Sequence, residues 1–219
     1  MKNVPIAREG WPFIAIPGAI ALGLALLGRR RLALPFAAAA AASAGFFRDP
    51  ERAIPAVVNG VLAPADGRVM SIEDAVDSFV GPSVRVAIFL SPLDVHVNRA
   101  PIAGVVADTA YTPGRFVAAY DPAAEANERC AVRLQGEHAR ITVVQIAGVV
   151  ARRIVCRVGS GDKLAAGERF GMIRFGSRLD IYLPEGVTPH VAVGQTAVGG
   201  ETVLADLRVP DVGRGFRAG

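Results

Sequence analysis

The sequence predicts a mainly β protein, an antiparallel sandwich or barrel, with an apolar helical segment in front of it. Beyond Arg52 the chain consists of short Val- and Ile-rich blocks bounded by Gly, Pro or Asp. That rhythm is typical of antiparallel strands rather than of alternating strands and helices. Ahead of Arg52 lie two long uncharged blocks, and the mean hydropathy of +0.37 is too high for an ordinary soluble domain throughout.

Residues 1–47 form the predicted membrane-associated segment. Trp11–Gly28 carries no charge, three arginines follow at 29–31, and 32–47 is again uncharged. Helices of these lengths reach only about 24 to 27 Å, just short of a typical hydrocarbon core. Three prolines also disturb them, so the sequence leaves open whether they cross the membrane or lie in one leaflet.

A secretory signal is the main alternative for this segment, because 42–44 reads Ala-Ser-Ala, like a small-residue cleavage site. The triple arginine then falls between two apolar blocks, which does not match the charged, apolar, cleavage-site order of signals. A retained membrane anchor is therefore the better interpretation, and a buried soluble hairpin is the weakest of the three. Positive charges on the two sides nearly balance, so they give no orientation.

Charge and cysteine content narrow the classes of partner. The net charge of +4 and the pI near 9.6 suit an anionic membrane surface. No basic patch interleaved with aromatic residues is present, which argues against nucleic acid. The two cysteines, Cys130 and Cys156, have neither CxxC nor metal-ligand spacing, so we predict no metal site and a reducing compartment.

Residues 48–209 form the predicted β domain, in which we expect little helix. A polar insert at 121–128 is predicted to be a loop or a short helical turn, and the Gly- and Arg-rich tail at 210–219 is predicted to be flexible. The predicted strands lie at Val57–Leu62, Val84–Leu90, Gly104–Thr109, Cys130–Leu134, Ala139–Val150, Arg152–Val158, Phe170–Phe175 and Leu179–Leu183.

Two segments look like parts of a hammerhead sandwich of the lipoyl or biotinyl kind: VNGVLAPADGRV at 58–69 and VAVGQTAVGGETVLADL at 191–207. They raise the hypothesis of a non-catalytic carrier or swivelling binding domain. Such a carrier needs an exposed lysine at a hairpin tip, and Lys2 and Lys163 are the only lysines. We interpret Lys163 as a surface loop residue, which weakens the carrier hypothesis.

Several motifs follow one another along the chain. They are FFRDPER at 46–52, APADG at 63–67, IFLSPLDVHVNRAP at 88–101, YTPGRF at 111–116, NER at 127–129 and RFGS at 174–177. In this order they resemble the phosphatidylserine decarboxylase family, in particular its short archaeal and bacterial-type form. Spaced motifs in one order are much more specific than any one of them.

Taken alone, Gly176-Ser177 between two strand-like blocks indicates only a turn. The resemblance implies that the Ser177 hydroxyl attacks the Gly176 carbonyl and that the chain breaks by serinolysis into a β chain, 1–176, and an α chain, 177–219. Residue 177 then becomes a covalent pyruvoyl group that forms a Schiff base with the substrate amine. Decarboxylation of an amino acid needs such an electron sink, which ordinary side chains lack.

Asp66 and His96 are the residues that the motifs offer for acid-base chemistry. An Asp-Gly turn and a lone histidine after a buried strand are more often structural, but the ordinary pKa of histidine suits proton transfer at neutral pH. The resemblance implies catalytic roles for both. Better-known members carry two histidines in this segment, one of them in an Asp-His-Ser triad for self-cleavage and the other for decarboxylation. Here His96 stands at the first position and Arg99 at the second.

Three alternatives remain for the missing histidine: His96 serves both steps, Asp66 activates the serine more directly, or another group substitutes. His138 and His190 lie in turn-like segments outside the motifs and are weak substitutes. Arg99 is predicted to bind the phosphate or carboxylate of the substrate, for which its planar fork is suited. Asn98 is predicted to assist in substrate binding and in orienting the histidine.

The sequence therefore predicts a membrane-associated, pyruvoyl-dependent phosphatidylserine decarboxylase that is made as a proenzyme and serves phospholipid biosynthesis. Its catalytic domain is expected on the cytoplasmic face of the cell membrane, with phosphatidylserine, the anionic membrane surface and the two chains of one precursor as partners. A homo-oligomer is left open. The alternatives are the hammerhead carrier and a pyruvoyl decarboxylase of another amino substrate.

Overall fold

The computed structural model of the protein describes residues 5–117, 121–148, 153–174 and 176–207. A 3-10 turn at Arg8–Gly10 leads into helices α1 (Trp11–Leu26) and α2 (Arg30–Phe46), and a second 3-10 turn lies at Pro122–Ala126. The strands in the described residues are β1 (Gly60–Leu62), β2 (Gly67–Asp77), β3 (Gly81–Leu90), β4 (Val97–Arg99), β5 (Gly104–Thr112), β6 (Arg129–Gln135), β7 (Arg140–Ile146), β8 (Ile154–Cys156), β9 (Lys163–Leu164), β10 (Arg169–Ile173), β11 (Ser177–Pro184), β12 (Thr196–Ala197) and β13 (Val203–Asp206).

The helices α1 and α2 pack against each other as a hairpin. The turn between them follows from Gly28, which adopts a φ of +76° that other residues avoid. The Gly28 amide donates to the Ala25 carbonyl (3.0 Å), and the Arg29 amide donates to the Leu24 carbonyl (2.8 Å). This Schellman-type cap satisfies the last carbonyls of α1 and turns the chain back.

The base of the hairpin is fixed to the β domain. The Ala7 amide donates to the Phe47 carbonyl (2.8 Å), which joins the two ends of the hairpin. The Arg157 guanidinium, beyond β8, donates to the Glu9 carboxylate at 2.6 and 3.1 Å. A small apolar cluster lies beneath the base and consists of Ala7, Phe46, Phe47, Val95, Val97 and Met172.

The main sheet is curled into a half-barrel. Within the described residues it has eight antiparallel strands in the order β12-β2-β3-β11-β7-β6-β5-β9. Alternate residues of its central strands, such as Leu179 and Ile181 of β11, point into the principal core, as a half-buried strand requires. The mainly β fold with an apolar helical segment in front is therefore confirmed.

Two smaller antiparallel sheets complete the described fold. One has the order β4-β10-β8, and the other pairs β1 with β13. The two hammerhead-like segments contact each other, because Val61 pairs with Ala205 and Gly67 pairs with Ala197.

The structure differs from the prediction most at β2, which the sequence did not indicate. Only Gly67 and Val69 of its residues are buried, and all the others are intermediate or exposed. Apolar periodicity therefore could not reveal this strand. The predicted strand at Val57–Leu62 starts only at Gly60, because Val58 is 85% exposed.

Smaller differences concern loops and ends. Lys163, predicted in a surface loop, is exposed but begins the two-residue edge strand β9 and pairs with Val105. The 3-10 turn at Pro122–Ala126 confirms the predicted short helical turn. The strand ends predicted at 149, 150, 152 and 175, and the flexible tail at 210–219, lie outside the described residues.

Candidate active site

Gly176 and Ser177 lie where the chain enters β11, between β3 and β7 near the middle of the main sheet. Gly176 has a φ of +55°, in the left-handed region that favours glycine, and Ser177 is the first residue of the strand. Ser177 pairs with Leu90 of β3. The bond between the two residues therefore joins an unusual backbone conformation to a rigid strand.

The Ser177 side chain is buried in this position. Its residue is fully enclosed, and its Oγ has no hydrogen-bond partner within the described residues. Because alternate residues of a strand share a face, Ser177 points to the same side as Leu179, into the core side of the sheet. The next residue, Arg178, points to the other side, where its guanidinium binds the Asp180 carboxylate at 2.6 and 2.7 Å.

His96 lies just before β4, where its carbonyl accepts the Ile173 amide of β10 at 3.3 Å. Its Nδ1 lies 2.9 Å from the Asp94 carbonyl oxygen. A carbonyl can only accept, so Nδ1 carries the ring proton and Nε2 keeps a lone pair. The Phe46 ring packs on the imidazole, with centroids 4.3 Å apart.

Burial controls the protonation of this histidine. His96 is fully enclosed, and its Nε2 has no hydrogen-bond partner among the described residues. Desolvation lowers the pKa of His96 to about 4 from an ordinary value of 6.5. At neutral pH the ring is therefore uncharged and offers a basic nitrogen.

Asp66 does not bind His96, as an Asp-His-Ser triad would require, but has other partners. Its carboxylate accepts two bonds from the Arg52 guanidinium, at 2.7 and 2.9 Å, and one from the Gly199 amide at 2.8 Å. By the register of β2, β3 and β11, its neighbour Gly67 lies about 10 Å, or two strand spacings, from Ser177. Asp66 thus lies at the same end of the sheet as the serine, but the structure gives it no hydrogen bond to Ser177 or to the histidine.

Arg99 is held in the base of the domain. Its guanidinium donates to the carbonyls of Gly167 and Pro50, both at 3.0 Å, and lies 3.4 Å from the Asp49 carboxylate. The residue is only 5% exposed. Three acceptors therefore occupy the group that was predicted to bind substrate, and that role stays a prediction.

Asn98 forms a buried amide pair with Gln145 of β7, a residue that the sequence analysis did not single out. Gln145 Nε2 donates to Asn98 Oδ1 at 2.8 Å and lies 3.4 Å from the Val155 carbonyl oxygen. The same Gln145 atom faces two acceptors, so it is the nitrogen, and this fixes the orientation of both amides. Asn98 Nδ2 and Gln145 Oε1 are then left buried without a partner in the described part of the chain.

The amide pair lies beside the serine. Leu179 pairs with Gln145, so Gln145 is the diagonal neighbour of Ser177 on the same face, at about 7 to 8 Å between Cα atoms. Gly171 of β10 packs directly over it, since a Cβ at that position would lie 2.8 Å from Gln145 Nε2. A polar Gln inside the apolar run ITVVQIAG is the sequence signal that could have identified this residue.

The other two histidines lie on the surface. His138 and His190 are close to Glu137 (3.9 Å) and Asp206 (3.8 Å), respectively. Neither contacts the residues around Ser177 within the described chain. Among the same described residues, no group of three or more His, Cys, Asp or Glu side chains comes together.

The helical hairpin borders this site through aromatic contacts. Phe13 of α1 stacks on Phe47 with centroids 5.3 Å apart, and Phe47 packs edge-on against Phe46, the neighbour of the imidazole. The helical stretch Arg8–Leu26 has 19 residues and a mean hydropathy of 1.4, and by length and composition it is able to cross a membrane. Its apolar side chains are largely exposed, as for Leu26 at 79%.

Known proteins resemble the chain over most of its length. A family model described as phosphatidylserine decarboxylase matches residues 40–205. Proteins named phosphatidylserine decarboxylase proenzyme from Burkholderia pseudomallei and Burkholderia mallei are each 46% identical to it over 205 residues, which cover 92% of this chain and 95% of theirs. A protein of the same name from Burkholderia lata is 45% identical over 205 residues, which cover 92% of this chain and 96% of that protein.

Proposed function

This chain belongs to the phosphatidylserine decarboxylase family and is therefore a decarboxylase, and we propose that it cuts its own Gly176-Ser177 bond before it acts on phosphatidylserine. The products of the second reaction are phosphatidylethanolamine and carbon dioxide. One observation carries the proposal: the Ser177 hydroxyl is buried, has no hydrogen-bond partner among the described residues and follows a left-handed glycine. The Asn98–Gln145 amide pair lies beside it, and Asn98 is two residues from His96. Family membership also removes the reason for a non-catalytic carrier.

The first step of cleavage is attack by Ser177. Its Oγ adds to the Gly176 carbonyl carbon while His96 Nε2 takes the hydroxyl proton. Asn98 Nδ2, the donor left free by the amide pair, supports the negative charge on the carbonyl oxygen. The C–N bond then breaks, the proton passes to the nitrogen of residue 177, and an ester joins the two chains.

Elimination completes the cleavage. Loss of the α-proton of residue 177 and departure of the ester oxygen leave a carboxylate at Gly176 and a dehydroalanine at 177. Water replaces the nitrogen of that residue, which leaves as ammonia, so that the α chain begins with a pyruvoyl group. No residue other than serine or threonine has the β-oxygen that this route needs, which fits Ser177 at the start of β11.

The residues around position 177 fit such a group. When present, the pyruvoyl carbonyl supplies the electron sink that decarboxylation requires. Buried neighbours such as Leu90 exclude water from it, and His96 is proposed to move the proton that replaces the departing carboxylate. Asp66 stays a predicted catalytic residue, and its carboxylate forms an ion pair with Arg52 at 2.7 Å.

The helical hairpin of α1 and α2 is the part of the protein that we expect to meet the lipid bilayer. We infer that α1 and α2 enter the cell membrane and hold the β domain against its cytoplasmic face. The aromatic contacts from Phe13 to Phe46 then place the candidate base at the foot of the membrane segment.

The intact mass of the purified protein tests the proposal, with Ser177→Ala as the control. We expect two chains, 1–176 and 177–219, with the second lighter by one ammonia than a chain that starts with serine. The Ser177→Ala protein should remain one chain with a wild-type circular dichroism spectrum. A single uncut wild-type chain, folded and without release of carbon dioxide from phosphatidylserine, would contradict the proposal.

A further inference from the structure

Two arginines face each other beside the candidate active site. Ile154 of β8 pairs with Ile173 of β10, and just beyond them the Arg174 amide donates to the Arg153 carbonyl at 3.3 Å. The two side chains are therefore direct cross-strand neighbours, an arrangement in which like charges destabilise a sheet. A cost of this kind is typical of a functional site rather than of a structural one.

Within the described residues, no carboxylate forms an ion pair with either arginine. The ion pairs within the described chain include neither Arg153 nor Arg174. The nearby acid Glu9 is already bound to Arg157 at 2.6 Å. Arg174 Nε is buried and has no hydrogen-bond partner in that same part of the chain. Burial, and then the charge of Arg153, lower the pKa of Arg174, whereas the Glu9 carboxylate raises it.

The position of Arg174 connects the membrane segment with the cleavage site. Its guanidinium carbon lies 5.5 Å from the ring centroid of Phe13 in α1, the helix that is long and apolar enough to span a membrane. Ser177 is three residues further along the chain, so the two Cα atoms are at most about 11 Å apart. A group bound by Arg174 is thus held between the lipid surface and residue 177.

We propose that Arg174 and Arg153 bind the phosphodiester of the lipid substrate and thereby place its serine headgroup at residue 177. This inference rests on the proposed function. The planar guanidinium of an arginine binds phosphate oxygens through paired hydrogen bonds. Arg174 Nε has no hydrogen-bond partner among the described residues, whereas the Arg99 guanidinium is bound by Gly167, Pro50 and Asp49.

Substrate kinetics test the inference. Arg174→Gln, Arg153→Gln and the double variant are assayed for carbon dioxide release from phosphatidylserine in mixed micelles with a non-ionic detergent. Loss of a charge-assisted hydrogen bond costs about 1.5 to 3 kcal/mol, so we expect the KM of each variant to rise about 10- to 150-fold while kcat changes less than about threefold. Arg174→Lys should restore part of the affinity, because it keeps the charge and loses the fork.

Arg140→Gln is the matched control. Arg140 also lies over an aromatic ring, 5.2 Å from the Phe79 centroid, but at the start of β7, away from Ser177. Its KM should equal that of the wild type. A competition with inorganic phosphate distinguishes the two sources of the ligand: inhibition that disappears in Arg174→Gln shows that free phosphate binds, and no inhibition with an intact KM effect assigns the site to the lipid alone.

The failure of this inference is distinguishable from that of the proposed function. The intact mass of each variant is measured first to confirm that it is cleaved. If Arg174→Gln does not fold, the kinetics of Arg153→Gln test the inference instead. A wild-type KM in the cleaved double variant, or a fall in kcat at constant KM, overturns the inference and leaves the decarboxylase intact. Absence of cleavage or of carbon dioxide release in the wild type itself overturns the proposed function instead.

Discussion

Two separate features of its surroundings leave His96 with an uncharged ring and a basic nitrogen. The Asp94 carbonyl selects the tautomer with a free Nε2, and burial under Phe46 keeps the ring uncharged. Neither feature needs a carboxylate behind the imidazole. The absence of a contact between His96 and Asp66 is therefore compatible with general-base chemistry in the precursor.

The pKa of about 4 for His96 predicts the pH dependence of self-cleavage. A general base acts in its deprotonated form. Because the pKa of His96 is lowered, the imidazole stays deprotonated down to a more acidic pH. The rate should be constant from pH 8 to about 5.5 and fall to half near pH 4, rather than near 6.5 as for an exposed histidine. Precursor made by cell-free synthesis is shifted to each pH, and the fraction cut is read from intact masses.

The Ser177→Ala precursor provides the control for this experiment, because its near-ultraviolet circular dichroism reports unfolding at the same pH values. A half-maximal rate near pH 6.5 with the fold intact would show that His96 is solvated when it reacts. It would also remove burial as the reason for its basicity.

The Asn98–Gln145 pair predicts a second effect on self-cleavage. Asn98→Asp keeps the oxygen that accepts from Gln145 but replaces the free donor, and losing one oxyanion donor costs about 100- to 1000-fold in rate. Gln145→Leu keeps the volume and only releases Asn98, so its loss should be smaller. Cleavage half-times and thermal midpoints are measured together.

Thr142→Val is the matched control for the amide pair. Thr142 is a buried polar residue of the same strand, and its hydroxyl donates to the Asp77 carboxylate at 2.7 Å. This variant should lose thermal stability without slower cleavage. Asn98→Asp that cleaves as fast as the wild type would exclude the amide as the donor.

At the scale of elements, the hairpin has the surface of a membrane segment. Ile16 and Leu22 of α1 are each 62% exposed, and Leu34 of α2 is 68% exposed. Three consecutive arginines, 29–31, surround the tip of the hairpin. With 16 residues, α1 extends about 24 Å from the base, so the proposed membrane insertion would carry these arginines most of the way across a hydrocarbon core of about 30 Å.

Charges on the outer face of the hairpin should therefore release the protein from lipid. Each charge at the centre of a membrane helix costs about 2.5 to 3.5 kcal/mol. We expect the double variant Ile16→Glu, Leu22→Glu to stay in the supernatant when sedimented with phosphatidylglycerol vesicles, whereas the wild type pellets. Val76→Glu, at an 82% exposed position of β2, is the control and should still pellet. Sedimentation of the double variant with the vesicles would locate the membrane contact elsewhere.

At the scale of the whole molecule, the sequence predicted those parts that depend on local pattern. Uncharged blocks marked α1 and α2, and short Val- and Ile-rich blocks marked the central strands such as β3 and β11, because burial on one face or both leaves a composition that is readable. The strand β2 escaped detection, since it is largely exposed and owes its conformation to pairing with β3 and β12 rather than to its own apolar residues.

The site was predictable only in part for a similar reason. The motifs pointed to Gly176, Ser177 and His96, but partners that are distant along the chain decide what each side chain does. Arg99 looked free in the sequence, yet Asp49, Pro50 and Gly167 occupy it. Gln145 lies beside Ser177 because its strand β7 pairs with β11, and it bonds to Asn98 in a second sheet. Neither contact can be read from the local sequence.

The central place of β11 has a consequence for the lifetime of the mature enzyme. The proposed cleavage before Ser177 would leave the shorter chain as the supplier of a strand that is paired on both sides, with β3 and with β7. Before the cut, folding is a unimolecular event. After it, every complete unfolding separates two polypeptides whose reunion depends on their concentration, and the longer one carries an exposed gap in its sheet that invites aggregation. We therefore expect the cleaved protein to persist because it unfolds slowly, and not because it refolds.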